Sequence, residues 1–177
     1  MTNAELAILS LIAEQPRHGY KIEEVIKSRG MRAWTDIGFS SIYYLLNKLE
    51  KNDFITSRQQ QPEGKRPARK VYSITEQGRE VYIEAALTAL STPQSGSSPF
   101  LLGMSNLPAL PRSQALSALK TYAARNGERL ARMLESAQAQ RPLPPVAEAM
   151  FDYSRVMAEA ELNWVNGYIQ QLEVENG

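Results

Sequence analysis

The chain has 177 residues and is almost neutral, with 20 Lys and Arg against 19 Asp and Glu, and 43% of its residues are apolar. That suffices for one domain, or a small domain with an appendage, of ordinary globular rather than disordered composition. The absence of cysteine excludes disulfides, thiolate chemistry and the usual Cys-rich zinc sites, and a single histidine cannot build a His-based metal site alone.

The opening stretch, MTNAELAILSLIAEQ, has no basic leader region and is broken by Glu5 and Glu14, so it does not read as a signal peptide. No apolar run approaches the ~20 residues that span a bilayer, and the expected location is the cytoplasm. Thr2-Asn3-Ala4-Glu5 fits a capping box. The helix it starts is apolar nearly all round (Leu6, Ala7, Ile8, Leu9, Leu11, Ile12) and should be the central helix of a small core, ended by Pro16. A second helix begins near His18 or Gly19, turns Ile22, Val25 and Ile26 inward and stops at Gly30.

Ser40 can cap a third helix running through about Asn52, in which Ile42, Leu45, Leu46 and Leu49 form a tight apolar stripe. Its opposite face presents Ser40, Tyr44, Asn47 and Lys51, flanked by Ser41, Tyr43 and Lys48, with Glu50 as the one acid toward an edge. Residues 54–58 and 69–74 then read as two short strands, and PEGKRPA between them has the Pro and Gly of a loop. This hairpin has a basic tip, with Lys65, Arg66, Arg69 and Lys70 within six positions. Residues 58–70 hold five basic side chains and one acid, so the basic character of a neutral chain is concentrated in one patch suited to a polyanion. Thr75 caps a fourth helix with Val81, Tyr82, Ala85, Ala86 and finally Leu90 inward.

Helix, helix, helix, hairpin, helix is the order of a winged helix-turn-helix domain, assigned to residues 1–90. A Ser-, Pro- and Gly-rich linker and a short helical segment occupy 91–111. Residues 112–177 hold two long helices, about 112–140 and 145–174, separated by RPLPP. The first spaces Leu116, Leu119, Ala123, Asn126, Leu130, Met133 and Ala137 alternately three and four apart, and the second repeats this with Met150, Tyr153, Met157, Ala160 and Trp164, with Tyr168 as a further dimerisation residue. These coiled-coil-like seams predict a helical dimerisation domain, so the fold class is mainly α with a small β-hairpin wing. Asn126 either fixes register within its seam or sits exposed at a bend beside Gly127.

SSIYYLLNKLEKNDFI, KRPARKVYSITEQG and the upstream PRHGYKI resemble the three sequence blocks of the PadR family of bacterial transcriptional regulators. AEAELNWVNGYIQQLE resembles the longer branch of that family, typified by virulence activators. The resemblance implies a winged helix-turn-helix DNA-binding domain joined to a helical C-terminal domain that dimerises. It also permits a small effector, often phenolic or aromatic in members of this family, at a dimer or domain interface. The chain departs from the usual pattern at Ser40-Ser41, where Gly-Thr is usual, and at Tyr44, where Pro is, so base preference there is not carried over.

The functional expectation is a homodimeric, sequence-specific regulator, a repressor rather than an activator, on a pseudo-palindromic operator. Ser40, Ser41, Tyr43, Tyr44, Asn47 and Lys48 would lie in or beside the major groove, with Lys65, Arg66, Arg69 and Lys70 on the flanking backbone. Tyr20 either packs, with Gly19 allowing the tight helix start, or it or Lys21 contacts a phosphate, and Trp34 and Trp164 belong to core, interface or ligand. The alternative is a winged-helix module for protein–protein contact without specific DNA binding. An enzyme is not expected: no histidine or cysteine partners a nucleophile, and the Glu23-Glu24 and Glu159/Glu161 pairs look exposed, without a phosphate loop or metal cluster. No catalytic residue, cofactor or metal is therefore assigned.

Overall fold

A computed structural model describes residues 1–33, 35, 37–38, 41–60, 69–93 and 98–174. The chain divides into two compact units, Met1–Ser95 and Gly96–Gly177.

In the first unit, Thr2 Oγ1 accepts from the Glu5 amide at 3.2 Å while the Glu5 carboxylate accepts from the Thr2 amide at 2.8 Å. The capping box thus closes in both directions and starts α1 (Asn3–Glu14). Lacking a polar stripe, α1 has to be enclosed: Ile8, Leu9, Leu11 and Ile12 are fully buried, and α3 (Ser41–Lys51), α4 (Glu76–Ser91) and β3 (Arg69–Ile74) pack around it. α2 (Gly19–Ser28) adds Ile22 and Ile26 to the same core and stops before Gly30, whose φ of 60° is the left-handed conformation that ends helices.

One element was not expected. Arg17–His18 form a two-residue strand, β1, paired antiparallel with β3 at Arg17↔Tyr72 and His18↔Val71. Arg17 Nε donates to the Leu11 carbonyl at 2.8 Å, tying this strand to the end of α1. The sheet order is β1-β3-β2, where β2 (Ile55–Gln60) runs antiparallel to β3 from Ile55↔Ile74 to Gln60↔Arg69. The hairpin therefore arises where the alternation predicted it, with β2 two residues longer toward the tip.

α3 places Ile42, Leu45, Leu46 and Leu49 in the core, as its stripe requires. It ends with Phe54 N–H bonded to the Leu49 carbonyl and Asp53 N–H to the Glu50 carbonyl, Asp53 taking the left-handed φ of 58°. This reversal is then clamped to α4. Thr75 Oγ1 accepts from the Gly78 amide at 2.9 Å and donates to the Asp53 carbonyl at 2.6 Å. Val81, Tyr82, Ala85 and Ala86 are half-buried as expected, but Leu90 is 86% exposed, because α4 has outrun the core by its last turn.

The second unit contains α5 (Pro99–Ser105), α6 (Arg112–Ala139) and α7 (Pro145–Val174). α6 and α7 are antiparallel neighbours, joined side by side by Lys120–Glu173 at 2.7 Å and by Asn126 Nδ2 donating to Glu161 at 3.2 Å. Their shared core is Leu119, Ala123, Val165 and Ile169, with Leu116, Leu162, Tyr168 and Leu172 at its edges. α5 comes from the stretch read as linker and short helix, and contributes Phe100 and Met104 to this core. α7 thus carries two apolar stripes. The inner one, Ala158, Leu162, Val165, Ile169 and Leu172, was not recognised in the sequence; the outer one is the stripe that was.

Asn126 is buried rather than exposed at a bend. Its Oδ1 accepts from Arg129 and its Nδ2 reaches Glu161, whose other oxygen accepts the Tyr122 hydroxyl at 2.5 Å. Burial, together with the adjacent Glu161, pushes the Tyr122 pKa up to about 12, so the phenol keeps its proton and remains a donor. Glu161 is therefore half-buried and bonded, against the expectation of an exposed face. Among the described residues, no helix is long and apolar enough to cross a membrane.

A Cβ at Gly78 would lie 1.9 Å from the Phe54 carbonyl oxygen, a backbone atom that already accepts from the Thr75 amide. Gly78→Ala is expected to destabilise the first unit by about 1–3 kcal/mol or more in urea unfolding followed by circular dichroism. Gly127→Ala, in open space within α6, should be neutral or stabilising by up to about 1 kcal/mol.

Candidate nucleic-acid interface

Once the apolar stripe of α3 is buried, its remaining side chains have one direction left. Tyr43 and Tyr44 are 58% and 66% exposed, and Asn47 and Lys48 are exposed beside them. Ser41, at the start of the helix, donates its hydroxyl to the Gly38 carbonyl at 2.7 Å, so that group is partly committed to holding the turn.

The approach of α2 to this face depends on Gly19. A Cβ there would meet the Tyr43 ring at 2.8 Å, so the missing side chain is what lets Tyr43 lie against the first turn of α2. On the other side, β3 brings in Arg69 and Lys70. The result is a cleft of about 660 Å³ whose walls include Tyr20, Tyr43, Asn47, Arg69 and Lys70, with Tyr72 at its base. Tyr20 is exposed on the rim, stacked on His18 at 5.4 Å between ring centroids, with the Arg69 guanidinium 5.0 Å and the Lys21 ammonium 5.8 Å from its own centroid.

Of the predicted residues, Tyr20, Tyr43, Asn47, Arg69 and Lys70 line this cleft and Lys21 lies beside the Tyr20 ring; Tyr44 and Lys48 are exposed on α3 without lining it, and Ser40, Trp34 and the tip residues Lys65 and Arg66 lie outside the described residues. The cations are not equivalent. Lys21 pairs with Glu24 at 2.7 Å, both well exposed, a contact that solvent screens to little. Lys70 stands 3.7 Å from Glu50, which also accepts the Ser57 hydroxyl. Lys48 differs: its ammonium lies 2.6 Å from Glu5, whose side chain is only 8% exposed. Drawing Lys48 away would leave a buried carboxylate without its counter-charge, so this residue is less available to a polyanion than its position in the helix suggests. Arg69 has no carboxylate partner among the described residues.

Glu5 is the residue whose second task was missed. Its reading as a capping residue is right, but the same carboxylate bridges α1 to the third turn of α3. The two positions are far apart in sequence, and nothing in the spacing links them. Burial by itself disfavours the charged carboxylate. The hydrogen bond from Lys48, the contacts with Thr2 and the Lys48 charge outweigh that and hold Glu5 below the usual carboxylate range. Glu14 is likewise held down, first by its bond from Arg29 and then by Arg17.

The predicted dimerisation residues separate into two groups. Leu119 and Ala123 are buried inside the second unit, Leu116, Leu130, Met133 and Tyr168 are half-buried, and Met150, Tyr153, Met157 and Trp164 remain exposed along α7. Trp164 stacks on Tyr168 at 5.3 Å and meets the edge of Phe100 at 6.3 Å. Among the described residues no cluster of acidic or histidine side chains could hold a metal ion.

Because the Glu5 and Glu14 pKa values are depressed on folding, their contribution is fully present above the unfolded value of about 4.3 and is lost as pH falls through the lower folded values. Urea midpoints of the full chain should therefore drop below pH about 4.3. They should drop less steeply when Glu5→Gln and Glu14→Gln are combined, and parallel curves would refute the assignment.

Residues 8–84 match the transcriptional regulator PadR-like family. No curated protein sequence matches the chain. Among solved structures, the fold is similar to that of Bacillus subtilis PadR in complex with operator DNA, at 20% identity and a TM-score of 0.76 over 95% of this chain and 98% of that one. PadR in complex with p-coumaric acid matches at 19% identity and a TM-score of 0.77 over 96% and 98%. The Vibrio cholerae virulence activator AphA matches at 16% identity and 0.75 over 97% and 99%. Identities this low speak for fold alone, whereas the match over 8–84 is one of sequence. That match runs from within α1 to the third turn of α4, so the winged-helix unit is similar in sequence to the PadR-like family of transcriptional regulators, and the solved structures extend the likeness of fold to the helical second unit.

Proposed function

We propose that the chain binds a pseudo-palindromic operator as a homodimer and acts in the cytoplasm as a repressor, by occupying a promoter. The observation that carries this reading is the exposed Tyr43-Tyr44-Asn47 face of α3 lying beside the basic start of β3 in a winged-helix unit. It is supported by the fold match to PadR in complex with operator DNA. Asn47 is suited to a bidentate pair with adenine, and the tyrosine and Ser40–Ser41 hydroxyls to phosphates or base edges. Lys65, Arg66, Arg69 and Lys70 supply backbone contacts, with Lys21 at the rim. Lys48 mainly holds Glu5.

The second unit supplies the dimer. Met150, Tyr153, Met157 and Trp164 form an apolar stripe on α7 that the α6–α7 pairing does not cover, and a second copy of the same stripe is its natural cover. A two-fold dimer would set the α3 helices for half-sites about 34–36 Å apart, or a multiple of that spacing.

A small aromatic effector is supported by the fold match to PadR in complex with p-coumaric acid. The second unit offers an open patch along one face of α6, where Arg125 is suited to a carboxylate and Ser113, Ser117 and Thr121 to further hydrogen bonds.

Selection of bound fragments from genomic DNA, followed by footprinting, tests the reading. One protected palindrome is expected; its absence would leave the protein–protein module. In shift assays on that site, replacing Lys65 and Arg66 by Ala should weaken specific and random DNA alike and lower the salt slope by about 0.9 per lost phosphate contact. Asn47→Ala should instead reduce discrimination between operators, by about 1–3 kcal/mol, with little effect on random DNA. Repeating the assay with p-coumarate reads the effector: release of the operator supports it, and an unchanged shift removes this compound. Met157→Glu combined with Trp164→Glu should yield monomers by light scattering and abolish tight operator binding, whereas a persisting dimer would rule out the α7 stripe.

A further inference from the structure

We propose that Tyr20 acts on DNA through Arg69: it is a positioning residue whose ring face fixes the first cation of β3, and its hydroxyl is dispensable. This rests on the DNA-binding reading above and deepens it. Tyr20 sits at the beginning of α2, directly after the two-residue strand that joins the sheet, so its backbone is tied to the same strand that carries Arg69. His18 pairs with Val71 in the ladder, and its Nδ1–H donates to the Lys70 carbonyl at 3.1 Å. The His18 ring stacks on Tyr20 with an interplanar angle of 18°. That leaves Tyr20 with little freedom, and the Arg69 guanidinium lies 5.0 Å from its ring centroid, within cation–π range.

Arg69 needs such a support. It lies at the loop end of the β2–β3 ladder, opposite Gln60, and has no carboxylate partner among the described residues. A long side chain there samples many rotamers, and holding it over the cleft removes that cost from binding. A carboxylate would hold it equally well but would neutralise the charge that a phosphate must meet. A tyrosine face holds the guanidinium and leaves its N–H groups and its charge available. The Tyr20 hydroxyl makes no contribution to this arrangement.

The test uses the full-length protein and a double-mutant cycle in shift assays across a salt series, on operator and random DNA. Arg69→Ala should lower the salt slope by about 0.9. Tyr20→Ala should weaken both kinds of DNA by about 3–5-fold and lower the slope in the same direction, Tyr20→Phe should match wild type, and Tyr20→Ala should add nothing once Arg69 is Ala. A loss in Tyr20→Phe would mean that the hydroxyl holds a phosphate directly and would overturn the proposal. Additive losses, or an unchanged salt slope in Tyr20→Ala, would reduce Tyr20 to a packing residue. A readout without DNA separates this failure from failure of the function: Arg69 side-chain protons should show an upfield ring-current shift that Tyr20→Ala abolishes. If that shift is present and wild type binds no DNA, the functional reading falls; if wild type binds and the shift is absent, the positioning role falls.

Discussion

A helix that is apolar nearly all round cannot lie on a surface, and the architecture of the first unit follows from enclosing α1. Each of its fully buried Leu and Ile side chains contributes about 1.5–3 kcal/mol, so sequestering Ile8, Leu9, Leu11 and Ile12 outweighs any single polar contact nearby. α3 and α4 supply much of the cover, with β3 alongside. Because α3 turns Ile42, Leu45, Leu46 and Leu49 toward α1, its tyrosines and Asn47 face outward as a consequence. The face proposed to read DNA is thus the other side of a packing requirement.

Charge is distributed over this scaffold by burial rather than by sequence position. Lys48 and Arg69 both look available when counted along the chain. One is held by a carboxylate that cannot be left alone in the interior; the other rests on an aromatic ring that leaves its charge unneutralised. The same logic operates in the second unit, where Asn126 and Glu161 satisfy each other between two helices and so specify how α6 and α7 align.

Much of the fold was legible. The capping box, both long helices to within a residue or two, the wing strands and the Thr75 cap were all readable, because periodicity and capping are local properties. The candidate site was legible as a set of residues on the third helix and hairpin. Less legible was what each touches: β1 depends on a partner more than fifty residues away, the Glu5–Lys48 pair joins two helices, and the Tyr20 ring meets Arg69 of β3. Gly78 was read only as part of a family block, since the carbonyl it accommodates belongs to Phe54. The α7 stripe shows the limit most clearly. Two apolar stripes with similar spacing run along one helix, and periodicity alone cannot say which meets α6.

What the sequence determined by itself was the succession of elements, the hairpin strands, the basic patch and the likeness of residues 8–84 to one family, because each is written in neighbours along the chain or in its local residue pattern. Tertiary structure alone decided which charges are engaged, which α7 stripe stays open, and that a glycine at 19 makes room for Tyr43. Those outcomes depend on distances between residues remote in sequence, set by how α1 is enclosed and how α6 meets α7.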